Sequence, residues 1–126
     1  MNFEELGLCK EIISSINEKG YENPTEIQRI AIPHILMGRD LLGCAQTGTG
    51  KTGSFVMPLA EILSSGKSKS RMPRSLILAP TRELAMQVAE EFDFINKFLK
   101  LQMALLIGGV SFTEQDYKLA KGVDVL

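Results

Sequence analysis

The chain holds two cysteines, Cys9 and Cys44, and one histidine, His34. The two thiols lie far apart and match no metal or redox spacing; with the acidic opening of residues 1–5 (MNFEE), they point to a reducing cytoplasm and no secretory signal. Cys44 reads as a small packed side chain rather than a reactive thiol. His34 has no carboxylate, cysteine or second histidine spaced to share a metal ion, and reads as a helix surface residue. No apolar run approaches the length needed to span a membrane. The formal net charge is −1, so the chain as a whole does not attract nucleic acid, and any such binding needs a local patch.

What is present is ordinary for a globular protein: 44% apolar and 23% charged residues over 126 positions, enough for one small domain or part of a larger one. Helix and strand patterns alternate. Ile12, Ile13 and Ile16 give a short helix its apolar face, and Gly20 ends it. A second helix follows Pro24 and runs through Ile27, Ile30, Ala31 and Ile35 to Gly38, with Pro33 inside it. A strand over 40–45, a helix over 51–63, a polar connector over 64–75 and a fully buried strand over 76–79 come next. A long helix over 81–100 carries a stripe at Leu84, Val88, Phe92, Ile95 and Leu99; Phe92, Phe94 and Phe98 read as core rather than base-stacking platforms, with Phe94 the exception if it is exposed. A third strand over 103–107 ends at Gly108 and Gly109. Ser111 and Glu114 form a capping box that opens a helix to Lys121, and a fourth strand starts at Val123. Apolar strands alternating with helices imply an α/β fold, a parallel sheet flanked by helices on both faces.

The most informative segment is 45–52, AQTGTGKT. It fits G-x-x-x-x-G-K-[ST] except that Ala45 stands at the first glycine. A strand that ends in a glycine-rich turn and opens a helix aims backbone N–H groups into one concavity, with the positive end of the helix dipole behind them. The residues from Ala45 through Gln46, Thr47, Gly48, Thr49 and Gly50 would wrap a polyphosphate, and Gly48 and Gly50 let the main chain approach its oxygens. Lys51 can reach the outer phosphates, and Thr52 can sit on the magnesium ion that bridges them.

Further residues narrow the choice among phosphate-loop proteins. Residues 20–28 (GYENPTEIQ), Phe3, the segment 80–85 (PTRELA) and the pair Gly108-Gly109 occur together with AQTGTGKT. In that set and order the whole chain resembles the DEAD-box family of ATP-dependent RNA helicases, of bacterial type. Phe3 also lies at the distance upstream of Gly20 where that family places an adenine-stacking aromatic.

The resemblance implies a RecA-like P-loop NTPase domain, with ATP and Mg2+ as cofactors and RNA as partner. It implies that Gln28 selects ATP, since its amide can pair with the N6 and N7 edge of adenine. The local alternative is that Thr25 and Gln28 form a capping box at a helix start, and both roles can coexist. Phe3 could instead plug the first helix, and Tyr21 is expected to pack around the adenine. Pro80, Thr81 and Arg82, at a strand end and helix start, are implied to hold the sugar–phosphate backbone of single-stranded RNA together with Gly108 and Gly109, with little sequence preference. The alternatives are an Arg82 paired with Glu83 or Glu90, and a Gly-Gly pair that is only a tight turn. The connector's Lys67, Lys69, Arg71 and Arg74 read as a solvated loop.

The family's Asp-Glu-Ala-Asp run occurs nowhere in the sequence. Residues 1–38 are therefore expected to be the Q-motif helical region and 39–126 an incomplete portion of the first RecA-like domain, truncated before its later strands, with the second domain absent. The expected function is that of a parent enzyme unwinding short RNA duplexes with ATP hydrolysis, weak or lost in these residues alone. A sheet without its later strands is expected to self-associate. Two alternatives stand beside this: another P-loop motor NTPase, and a non-catalytic nucleotide- or RNA-binding protein.

Overall fold

A computed structural model gives the architecture of residues 2–66, 73–108, 112–120 and 122–126, the side chains at 112, 113, 116 and 117 apart. A 3-10 turn at Phe3–Leu6 leads into α1 (Lys10–Lys19), which stops at Gly20 in the left-handed conformation. α2 (Glu26–Leu36) starts at Thr25, whose hydroxyl accepts from Gln28 N while Gln28 Oε1 accepts from Thr25 N. The capping box is thus formed. α3 (Lys51–Ser64), α4 (Arg82–Ile95) and α5 (Phe112–Ala120) follow. Ser111 and Lys121, the expected cap and end of α5, lie outside the described residues, as do Gly109 and residues 67–72 of the connector.

α4 ends earlier than its periodicity suggests. After Ile95 the chain tightens into a 3-10 turn at Asn96–Phe98, because the Asn96 amide bonds both ways to Leu101: Leu101 N donates to Oδ1 at 3.1 Å and Nδ2 donates to Leu101 O at 2.9 Å. A side chain that satisfies the backbone outside the helix competes with helix continuation. Phe98, expected in the core, is consequently exposed, with Lys97 Nζ 5.6 Å from its ring centroid. Leu84, at the other end of the stripe, is also exposed, whereas Val88, Phe92 and Ile95 are buried.

The sheet is sparse. Among the described residues it consists of two isolated parallel bridges, Ser75 with Val125 and Met103 with Val125. The segment 122–126 thus lies between 74–79 and 101–107. Bonds from Ile77 N to Leu126 O (2.8 Å), Leu126 N to Ser75 O (3.1 Å) and Ala104 N to Val125 O (3.0 Å) hold it there. The Asp124 carboxylate joins both neighbours, accepting from Arg74 Nη1 at 3.1 Å and from Gln102 N at 2.9 Å. Parallel alignment agrees with the α/β expectation. The expectation of a fully buried strand over 76–79 does not hold: Ile77 packs on the core, but Leu76 and Leu78 are 63% and 83% exposed. Only one face of the segment is covered. The segment 40–45 has no bridge among the described residues, and Leu42 is 92% exposed. Cys44 is therefore exposed rather than packed.

The core lies where α1, α2, α3 and α4 meet the covered sheet face. Ile12, Ile16, Ile32, Val56, Met57, Phe92 and Ile95 are fully buried there. At about 1.5–3 kcal/mol for each large apolar side chain removed from water, this cluster dominates the stabilisation. Among the described residues no helix is long and apolar enough to cross a membrane.

Candidate nucleotide and nucleic-acid site

Helix α3 opens on Gly50, which has φ 78°, and Gly48 two residues earlier has φ 84°. Both are left-handed, a conformation glycine adopts without steric cost. No side chain caps the start of α3, so the N–H groups of its first turn are left to an outside acceptor. The Thr49 hydroxyl donates to Gln46 O, which tightens the turn. Lys51 is exposed, and its Nζ donates to Ala45 O at 2.9 Å, closing the loop on itself. Thr52 is half-buried at the second position of the helix, and Thr47 is exposed. The loop 45–52 thus has left-handed glycines, a helix start without a side-chain cap and an exposed lysine.

Gln28 is buried, with both ends of its amide engaged: Oε1 accepts from Thr25 N at 3.0 Å, and Nε2 donates to Gly50 O at 3.0 Å. The capping alternative is the one seen, and it is also a tether from α2 to the phosphate loop. Nε2 keeps a second hydrogen and Oε1 a second lone pair, so these bonds and a contact with adenine are chemically compatible. Phe3 is 4% exposed and packs with Leu6 in the core, the plug arrangement; stacking on a base requires the 3-10 turn to shift. Tyr21 is 37% exposed, its ring edge-on to Phe94 with centroids 5.8 Å apart. Phe94 is thereby a packing partner, only partly buried.

At the other end of α4, Thr81 caps the helix by accepting from Leu84 N at 3.1 Å. Arg82 is exposed, and among the described residues it makes no ion pair with Glu83 or Glu90. Its Nη2 lies 3.7 Å from the point where a Cβ on Gly108 would stand. Residues far apart in sequence, Arg82 and Gly108, therefore share one surface, with Pro80 and Thr81 exposed beside them. The Ile107 N–H next to it donates to Gln115 Oε1 at 3.0 Å, anchoring the turn to α5.

A family model described as DEAD/DEAH box helicase matches residues 25–126. The chain belongs to the DEAD/DEAH box helicase family. It is 38% identical to DEAD-box ATP-dependent RNA helicase 10 of Arabidopsis thaliana, over 98% of this chain and 29% of that protein. It is 40% identical to DEAD-box ATP-dependent RNA helicase 29 of Oryza sativa subsp. indica, over 98% of this chain and 14% of that one. Among solved structures it resembles a DEAD box protein from the hyperthermophile Methanococcus jannaschii, with TM-score 0.89 and 38% identity, covering 99% of this chain and 33% of that one. The RNA-helicase Prp28 from Chaetomium thermophilum bound to ADP matches with TM-score 0.90 and 41% identity, covering 98% of this chain and 31% of that one. The chain thus spans less than a third of the curated relatives it matches. Its fold is the RecA-like α/β fold of these helicases.

Within this helicase family fold, sequence reading passed over Glu91 and Gly53. A Cβ on Gly53 would stand 2.9 Å from Gln28 Nε2 and 3.2 Å from Glu91 Oε1, so the first turn of α3, α2 and α4 meet there. The signal was available: Glu91 falls between Val88 and Ile95 at helical spacing, a carboxylate within the apolar stripe. A surface cavity of about 460 Å³ lined by Leu6, Pro33, Leu36, Met37 and Ile62 holds none of the expected site residues. It is a groove at the C-terminal ends of α2 and α3, remote from the loop chemistry.

Proposed function

We propose that this chain is the ATP- and RNA-binding front of an ATP-dependent RNA helicase. The observation that carries the reading is the junction at Gly50, where a left-handed glycine, an uncapped helix start and Lys51 converge while Gln28 Nε2 donates to the Gly50 carbonyl. The loop Ala45, Gln46, Thr47, Gly48, Thr49, Gly50, Lys51 and Thr52 binds the phosphates, and Lys51 moves from Ala45 O to the outer phosphate oxygens. Phe3, Tyr21 and Gln28 form the adenine side. Magnesium takes much of its shell from phosphate and water, so one hydroxyl suffices, and the half-buried Thr52 at the start of α3 fits it. When bound, the ion neutralises charge between the phosphates. The ADP held by the Prp28 relative supports the nucleotide assignment.

Pro80, Thr81, Arg82 and Gly108, with Gly109, form the RNA-backbone surface. An exposed guanidinium beside a glycine fits phosphate contact, which reads no sequence. Residues 1–38 and 39–126 then correspond to the Q-motif helices and part of the first RecA-like domain. Phosphoryl transfer relies on several groups acting together, so these residues alone bind ATP but hydrolyse it weakly. The two free cysteines support a cytoplasmic location.

Titration calorimetry with ATP and GTP tests this directly. Lys51→Ala removes a charge-assisted contact and is expected to weaken ATP binding about tenfold or more, leaving the thermal melt unchanged. Equal ATP affinity in Lys51→Ala and the unaltered chain would overturn the reading.

A further inference from the structure

The surface that carries Arg82 and Gly108 is assembled from two elements, and each half is fixed differently. The Arg82 half is built into α4: Thr81 caps the helix by accepting from Leu84 N at 3.1 Å, and Arg82 is its first residue. The Gly108 half has no such support. Along 101–108 the last backbone bond to a neighbouring segment, among the described residues, runs from Ala104 N to Val125 O at 3.0 Å. Beyond it Leu106 and Gly108 are exposed and Ile107 is half-buried.

A side chain takes over where the ladder stops. The Ile107 N–H donates to Oε1 of Gln115, a half-buried residue of α5 eight positions on, at 3.0 Å. An N–H partly shielded from water requires an acceptor, and this one arrives from outside the sheet. The bond is made at the residue before Gly108, so it sets where the glycine stands. From there the point of a Gly108 Cβ is 3.7 Å from Arg82 Nη2. The chemistry of the acceptor suits the place. An amide oxygen accepts without carrying charge. A carboxylate in its place would accept as well, but would set a negative charge near a guanidinium that meets phosphate.

We propose that Gln115 is a positioning residue of the RNA-backbone surface, holding the Gly108 turn opposite Arg82 so that both meet one sugar–phosphate strand. This rests on the RNA-surface reading above. Gln115 acts through the placement of Gly108 and not by touching the strand. With the bond cut, the turn has to be ordered as RNA binds, and that ordering is subtracted from the affinity. Nucleotide binding at the loop of 45–52 is left as it was.

Fluorescence anisotropy with a labelled oligouridine on the full chain reads the effect at one fixed salt concentration. Gln115→Leu, which keeps the bulk and removes the acceptor, is expected to weaken oligouridine binding about fivefold, the equivalent of one net hydrogen bond. ATP affinity by calorimetry should not change. Gln115→Asn, a methylene too short to reach Ile107 N, should behave alike, and decides the matter if far-UV circular dichroism shows that Gln115→Leu does not fold. Arg82→Ala should weaken oligouridine binding by itself, and adding Gln115→Leu to it should cost little more, since the turn then has no guanidinium to face. Unchanged oligouridine affinity in the Gln115 variants, equal losses for oligouridine and ATP, or an undiminished loss on top of Arg82→Ala overturns the positioning role alone. An unaltered chain that binds no oligouridine, or binds it equally well after Arg82→Ala, overturns the RNA surface itself.

Discussion

Gly50 is pinned by its neighbours as well as by its own torsion. Its φ of 78° suits a residue without a Cβ, and a Cβ there would stand 2.6 Å from Gln28 Nε2 and 3.0 Å from two atoms of Thr25. Gln28 cannot retreat, since its other end is bound to Thr25 N. Gly48 has a similar φ of 84°, with nothing within 4 Å of the equivalent point. The pair therefore separates torsional strain from crowding. Gly48→Ala should cost about 1 kcal/mol from left-handed backbone alone. Gly50→Ala should cost about 2–4 kcal/mol, because overpacking adds to it. Urea unfolding midpoints of the two variants check the difference, and equal midpoints would show that crowding at Gly50 is relieved at no cost. At this scale the sequence was readable where chemistry is local. Gly48, Gly50 and Lys51 stand in the loop as their spacing announces, and Thr25 caps as its type suggests. The Glu91–Gly53 contact was not readable, because it depends on how α4 docks across α3, a register that periodicity leaves open.

At the scale of elements, the helices followed from apolar periodicity and the extended segments did not. The apolar runs at 41–44 and 76–79 suggest burial on both faces, yet Leu42, Leu76 and Leu78 face outward because no described element covers them. The stop of α4 turned on one side chain, Asn96, whose two bonds to Leu101 are invisible to a hydrophobic pattern. Asp124 plays a comparable part in the sheet. One carboxylate ties Arg74 on one neighbouring segment to Gln102 N on the other, where the ladder itself is reduced to single bridges. Asp124→Ala is expected to cost about 1–2 kcal/mol, since both contacts are charge-assisted but partly exposed to water. Asp124→Asn keeps an acceptor for Gln102 N and should cost about half as much, less than 1 kcal/mol. Thermal melts followed at 222 nm test the ranking; a larger loss for Asn than for Ala would contradict the bridging role.

Across the whole molecule, two contacts between distant segments lie along α4: Arg82 beside Gly108 at its start, and Glu91 beside Gly53 of α3 in its last turns. The motifs named Arg82 and Gly108 and the loop of 45–52 from sequence, and the fold supplied the adjacency of Arg82 to Gly108 and of Glu91 to Gly53. The molecule also presents the outward leucines of 76–79 together with Leu41, Leu42 and Leu106. An apolar, weakly paired sheet face invites pairing with another chain. The isolated chain should therefore show an apparent mass that rises with concentration in size-exclusion chromatography with light scattering. Replacing Leu76 and Leu78 together by lysine should restore a monomer, and a concentration-independent monomer in the unaltered chain would remove the idea.

The bond from Lys51 to the Ala45 carbonyl has a consequence for how quickly this loop can work. With its own ammonium as a clasp, the hoop is closed by a side chain of its own; under the proposed phosphate binding, an incoming anion has that one contact to displace. On that reading, ligand capture is an exchange of partners at a ready-made ring, and departure returns Lys51 to the Ala45 carbonyl.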